Sequence, residues 1–353
     1  MVAPLKTYLL RRVVTMAKPS DHRLEWIDVA KGLGIALVVY GHVFRGLEAA
    51  GIISASDAMT VIDSVIYSFH MPLFFFLAGI FLDETINRRG MGGAIWSKVE
   101  TVLYPYVVWS LLQGAIEVAL AQYTNGGATI GEVLSLLWQP RAQFWFLYAL
   151  FQIFAVSAII FSKSPRWGTY AFAGAGILLF WFGSGEALGS FVHASRMLIF
   201  FILGVLFYRN GGLHVEWTVL RAASVVALFV IAELLFHIVL GLRYTDRSPA
   251  SLLVACCGIA AVIGFSNVAA NGLAALLSYL GRMSMYVYLM HILAASGARV
   301  VLAKLWPDAS VLTHITLGVL AGLVLPLAAA RLCERFSLMF LFRMPRISSR
   351  QAG

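Results

Sequence analysis

The chain has 353 residues, of which 60% are hydrophobic and only 12% charged. So little charge cannot cover a water-soluble domain of this length, which excludes soluble enzymes and points to an integral membrane protein. The formal net charge of +9 does not read as a nucleic-acid footprint. Its basic residues fall in short segments between apolar runs, where they act as topology determinants.

Residues 1–25 form a basic N-terminal tail with Lys6, Arg11, Arg12, Lys18 and Arg23. Tyr8-Leu9-Leu10 is too short for the apolar core of a cleaved signal, and no Ala-x-Ala site follows it. Met16 opens a more conventional tail and is expected to serve as an alternative start. The first apolar helix then runs from Trp26 past His42 and carries Asp28, Lys31 and His42 among its apolar residues. Asp or Lys at the centre of a bilayer costs roughly 2.5–3.5 kcal/mol on insertion scales, so such groups mark a polar interior or chemistry. Asp28 and Lys31, three apart, share a helix face and can neutralise each other. Alternatively they sit at the interfacial end, with Lys31 snorkelling to water. His42 lies eleven residues beyond Lys31, ~16 Å along the helix axis, and neither account covers it.

Further apolar segments lie near 61–82, 99–120, 143–162, 167–184, 194–208, 218–240, 250–266, 273–296 and 311–332. Most reach the ~20 residues a span needs, and 194–208 is the shortest. The pattern predicts an all-α integral membrane protein, a bundle of about ten transmembrane helices with both termini on one side. Seventeen of the 26 Lys and Arg lie on the side of the termini and seven, from Arg45 to Lys304, on the other. That bias predicts cytoplasmic termini. The links are short and turn-forming, as at Asn125-Gly126-Gly127, so one membrane domain over 26–335 lies between the N-terminal tail and a basic cytoplasmic tail, 336–353.

In the second helix His70 precedes Pro72 by two residues. Proline removes a backbone donor and bends a helix, so His70 stands either at a pocket or in a bond to a neighbouring helix. Arg88, Arg89 and Lys98 precede Tyr104-Pro105-Tyr106, where proline suits a first turn. The basic residues either set topology alone or bind an anion. Phe144–Tyr148 reads as an aromatic anchor belt at the outer interface, and Phe200-Phe201…Gly204 as packing. Glu233 and His237, at i and i+4, can bond across one turn and read as structural. Near 273–296, Arg282 lies toward the inner end and His291 toward the outer. Basic residues thus collect at one end and histidines further out, as for an anion mouth leading to a proton-transfer centre. Cys256, Cys257 and Cys333 read as packing residues, with no CxxC spacing. HExxH, P-loop, GxSxG and dinucleotide motifs are absent, and no metal site is expected.

Taken together and in order, these motifs resemble the type 3 membrane acyltransferases. The run Arg23…Trp26-Ile27-Asp28-Val29-Ala30-Lys31-Gly32…Gly41-His42 is similar to their first-helix signature, and its Lys31-Gly32 version to their fucose 4-O-acetylase-like branch. Ser68–Phe75 with Gly79, Tyr104-Pro105-Tyr106, Trp145-Phe146-Leu147, Phe200-Phe201…Gly204 and Gly281-Arg282-Met283-Ser284…Tyr288-Leu289…His291 match further positions. Lys31 departs from the arginine more usual there and acts as a point charge rather than a bidentate fork.

The resemblance implies an O-acyltransferase, most often an O-acetyltransferase. It would move an acyl group from cytoplasmic acyl-CoA to a hydroxyl of a cell-envelope or exported sugar, in the bacterial inner membrane. Acyl-CoA is then a substrate, with no permanently bound cofactor. Partners are the sugar acceptor and the lipid bilayer, with no nucleic acid, and homo-oligomer formation is left open. His42 is the expected general base. His70 and His291 would position substrate, and Asp28 would orient Arg23 or Lys31. Arg23, Lys31, Arg88, Arg89, Tyr104 and Arg282 are the expected acyl-CoA-binding residues. Intramembrane His and Asp also suit a proton-coupled transporter or flippase, but no inverted repeat of two halves is visible.

Overall fold

The structure, a computed structural model, describes residues 25–54, 57–120, 129–162, 166–183 and 186–345. Residues 1–24, Met16 and Arg23 among them, and Lys163, Arg346 and Arg350 lie outside the described residues. Within these residues every regular element is helical: α1 (Glu25–Ala49), α2 (Asp57–Ile80), α3 (Leu82–Lys98), a π-helical turn (Val99–Leu103) and α4 (Tyr104–Ala119) come first. The short α5 (Ile130–Leu134) leads to α6 (Trp145–Phe161), α7 (Arg166–Phe182) and α8 (Val192–Arg209). Next come α9 (Val219–Leu234), extended by a second π turn (Leu235–Val239), α10 (Pro249–Val268), α11 (Asn271–Arg282), α12 (Ser284–Leu305) and α13 (Val311–Arg335). Nine stretches among the described residues are long and apolar enough to cross a membrane, and Trp167–Phe182 is a shorter apolar helix.

Side-chain contacts fix how the helices run. Arg45 meets Asp63, and Gly34 lies against Phe74, so α1 and α2 are antiparallel. Gly204 abuts the Phe76 backbone, and Arg209 at the end of α8 pairs with Asp83, three residues past the end of α2, so α2 and α8 run in parallel. Arg299 donates to the Gly46 carbonyl and the His291 ring lies beside His42, which sets α12 parallel to α1. Asp28, Asp83, Arg209 and Gly281 therefore gather at one end of the bundle, and Arg45, Asp63 and Arg299 toward the other.

The centre is aromatic and close-packed. Phe75, Phe144, Phe154, Phe200 and Phe201 are fully buried. At two crossings glycine brings backbones together. A Cβ at Gly79 would lie 2.0 Å from the Phe201 carbonyl oxygen, and one at Gly32 1.9 Å from that of Leu277. No side chain fits either place. On the outside, Leu220, Leu228, Ile231, Leu320, Val324 and Leu325 are exposed. In water such an apolar belt would drive association, whereas against lipid tails it costs nothing.

Several expectations need correction. The expected single span over 273–296 is two helices, because α11 ends at Arg282 and α12 begins at Ser284 with Met283 between them at φ −94°, ψ 3°. The segment 194–208 is not short: the apolar stretch runs Leu188–Arg209. Arg45, counted as a loop charge, stands on α1. The presumed anchor belt at Phe144–Tyr148 is largely inside the bundle, with Phe144 and Leu147 at 1% and 0% exposure. A hydropathy window cannot see a one-residue break or tell an aromatic facing lipid from one facing protein. Pro105 does open α4 in its first turn, as its missing N–H allows.

Candidate functional site

A cavity of about 550 Å³ lies between α1, α2, the π turn, α6 and the α11–α12 junction. Asp28, Lys31, Lys98 and Arg282 line one part of it, three cations against one carboxylate. Lys31 Nζ is 3.6 Å from Asp28 and 5.6 Å from the Phe81 ring centre. Lys98 Nζ lies 4.8 Å over the Phe154 ring, and Arg282 donates to the Ser278 hydroxyl. Each cation is thus held in place while the group as a whole stays positive. Thr101 and Val102, both in the π turn, also line the cavity. A π turn widens the helix by one residue and often marks a functional wall.

Beyond the cations the lining becomes apolar, with Ile35, Phe74, Leu77, Phe146 and Leu150, and it includes Val38, Met71 and Tyr288. Val38 is one turn before His42 on the same face of α1. Met71 follows His70, and Tyr288 precedes His291 by three. The structure brings three sequence-distant histidines together beside this apolar lining, and none of the three lines the cavity itself. The His42 and His291 ring centres are 5.1 Å apart, and His70 stands within electrostatic reach of His42.

The tautomers of two of them follow from their partners. His70 Nδ1 is 2.7 Å from the Ile66 carbonyl, and His291 Nδ1 is 2.8 Å from that of Tyr288. A carbonyl only accepts, so in both rings Nδ1 carries the proton and Nε2 keeps its lone pair. His291 Nε2 is buried without a hydrogen-bond partner, a costly arrangement unless a donor arrives there. A substrate hydroxyl would be such a donor.

A rigid brace stands behind these rings that sequence reasoning missed. Arg45 grips Asp63 with two bonds, of 3.0 and 2.8 Å, and its guanidinium lies 3.4 Å over the Tyr67 ring. Tyr67 in turn meets the His70 ring edge-on at 4.5 Å. The signal was present in the sequence: Arg45 follows His42 by three on one helix, and Asp63 interrupts an otherwise apolar run. On the other flank Tyr288 donates to the Gln143 carbonyl, and Gln143 donates to Gln113 at 2.7 Å.

Of the expected donor-binding residues, Lys31 and Arg282 line the cavity, with Asp28 beside them. Arg88, Arg89 and Tyr104 do not. Arg88 is exposed and pairs with Glu84 at 3.5 Å. Lys98, read only as a member of a basic loop, takes their place in the lining. Glu233 and His237 form a separate buried network. Ser68 donates to Glu233 at 2.7 Å, His237 Nδ1 lies 2.8 Å from the same carboxylate, and His237 Nε2 lies 2.8 Å from Ser64 Oγ. Among the described residues no group of three or more His, Cys, Asp or Glu could hold a metal ion.

Residues 24–331 match a family described as an acyltransferase domain. Two curated relatives are called nodulation protein NolL. That of Sinorhizobium fredii is 28% identical over 150 residues, covering 42% of this chain and 40% of the relative. That of Mesorhizobium japonicum is 26% identical over 144 residues, covering 40% and 37%. The matched region spans about two fifths of the length of each relative. No solved structure matches the chain.

Proposed function

Because the chain belongs to the acyltransferase-domain family, we propose that it is an O-acetyltransferase of the bacterial inner membrane, taking acetyl from cytoplasmic acetyl-CoA and giving it to a sugar hydroxyl on the far side. The observation that carries this reading is the continuity of one cavity, cationic where Lys31, Lys98 and Arg282 stand and apolar where it nears the three histidines. Its volume of about 550 Å³ lies in the usual range of small-molecule sites.

In this reading the CoA phosphates rest on Lys31, Lys98 and Arg282, as charge-assisted contacts favour. The pantetheine arm lies along Ile35, Phe74 and Leu77 and brings the thioester to Val38, Met71 and Tyr288. His42 takes the proton of the acceptor hydroxyl as its oxygen attacks the thioester carbon. The C–S bond breaks, and the departing thiolate takes up that proton to leave as the CoA thiol. His70 and His291, fixed as Nδ1–H tautomers by backbone carbonyls, position the hydroxyl and spread the positive charge that develops. Arg45 and Tyr67 hold His70 in register. Both termini and the cationic mouth face the cytoplasm.

The test is release of CoA thiol by the purified protein in nanodiscs, with and without a sugar acceptor. Release that rises with acceptor, together with acetyl found on the sugar, is expected. Acceptor movement across the bilayer without thiol release would instead support a transporter.

A further inference from the structure

A second basic cluster, two guanidinium groups beside an imidazole, lies away from the acetyl-CoA mouth. His193 and Arg196 stand in the first two turns of α8, and Arg247 lies just before α10. The three are within electrostatic reach of one another, and each is half-buried. Among the carboxylates whose side chains are described, none pairs with Arg196 or Arg247. Arg196 Nε and Arg247 Nη1 are both buried without a hydrogen-bond partner. Burial, with Arg196 nearby, pulls Arg247 down to about 10.

Like charges held together and partly desolvated are unfavourable unless an anion joins them. The local scaffold keeps them there nonetheless. His193 stacks on Trp145 with ring centres 4.7 Å apart and 28° between planes, and Trp145 stacks on Phe75 in the core. Ser195 donates to the Gly183 carbonyl and anchors the same turn.

The cluster is also at the right level. Since α8 runs parallel to α2 and Gly204 crosses at Phe76, Arg196, eight residues earlier, stands ~12 Å back along α8. That is the level of His70 rather than of Asp83. Trp145 connects the cluster to Phe146, which lines the first cavity.

We propose that His193, Arg196 and Arg247 form an anion subsite for the acceptor, binding an anionic oxygen group while a neighbouring sugar hydroxyl reaches His42. This rests on the sugar-acceptor reading above. The anion is either a carboxylate on the glycan or the phosphate of a lipid carrier, and both offer the oxygen acceptors that guanidinium groups recognise.

The experiment compares wild type with Arg196→Gln, Arg247→Gln and the double variant, with Arg196→Lys and Arg247→Lys testing retained charge. Acceptors are matched oligosaccharides that are neutral, carry a glucuronate, or carry a polyprenyl pyrophosphate. The expected result is at least a tenfold higher kcat/KM for one anionic acceptor over the neutral one, a ratio that falls toward one in the double variant and is partly restored by lysine. The acceptor that shows it identifies the source of the anion. In parallel, glucuronate and inorganic pyrophosphate are titrated into the purified protein in detergent. One should raise the Tm of wild type more than that of the double variant. Equal kcat/KM for all acceptors together with equal Tm shifts overturns the subsite, as does stabilisation by anionic phospholipid alone. If wild type acetylates no acceptor, the proposed function fails, while the titration still decides the subsite.

Discussion

Three histidines on three helices invite a division of labour at the residue scale. His42→Ala is expected to lower acetyl transfer by ~10²–10⁴-fold, the usual cost of losing a general base. His70→Ala and His291→Ala should act more mildly through acceptor KM. The check is transfer by purified variants at equal amount, with acetyl-CoA affinity measured separately. Near-normal transfer by His42→Ala beside an inactive His291→Ala would move the base to His291, whose Nε2 is already buried and unpaired. The histidines themselves were legible in the sequence, since each is a titratable group inside an apolar run. Their meeting was not, because it depends on how α1, α2 and α12 run relative to one another. The residues around them were hidden for a different reason. Lys98 and Arg45 look like ordinary flanking charges, and only the cavity and the Asp63 and Tyr67 contacts distinguish them.

Among the elements, the crossing of α1 with α11 sets the cationic mouth. A Cβ at Gly32 would lie 1.9 Å from the Leu277 carbonyl oxygen, and one at Gly281 1.8 Å from that of Asp28. Both would push the helices apart beside Lys31 and Arg282. Gly32→Ala is therefore expected to cost about 1–3 kcal/mol, as overpacking does, and to raise the KM for acetyl-CoA. Gly272→Ala, with nothing within 4 Å of its Cβ, is the neutral control. Thermal unfolding in detergent and donor titration read the two effects. The second buried network gives a prediction of another kind. Ser68→Ala removes one interhelical bond to Glu233 and should cost about 0.6–1.7 kcal/mol, the range measured for such bonds in membranes. Glu233→Ala also strips His237 of its carboxylate and should cost more. Element existence was readable here because hydropathy alone demands helices of this length. The break at Met283 and the π turn at Val99–Leu103 escaped, since both are changes of backbone register within an unchanged composition.

On the scale of the whole molecule, the bundle has two chemically different ends. One holds the Asp28, Lys31 and Arg282 mouth, the other the Arg45–Asp63 brace and the Arg196–Arg247 cluster. The cavity that starts at the first comes within a residue or a turn of each histidine. Under the proposed reaction this arrangement makes the protein an exchanger. An acetyl group, formally a cation once the thiolate is counted, travels outward, and the hydroxyl proton travels inward to meet that thiolate. The two charges cancel, so a turnover carries no net current across the bilayer. One uncompensated charge would be worth about 2.3 kcal/mol per 100 mV, enough to alter the rate by up to about 50-fold. In proteoliposomes with acetyl-CoA inside and acceptor outside, imposing or collapsing a potential with potassium and valinomycin should leave acetylation unchanged. A voltage-dependent rate would mean that the proton leaves by the outer face and never reaches the thiolate.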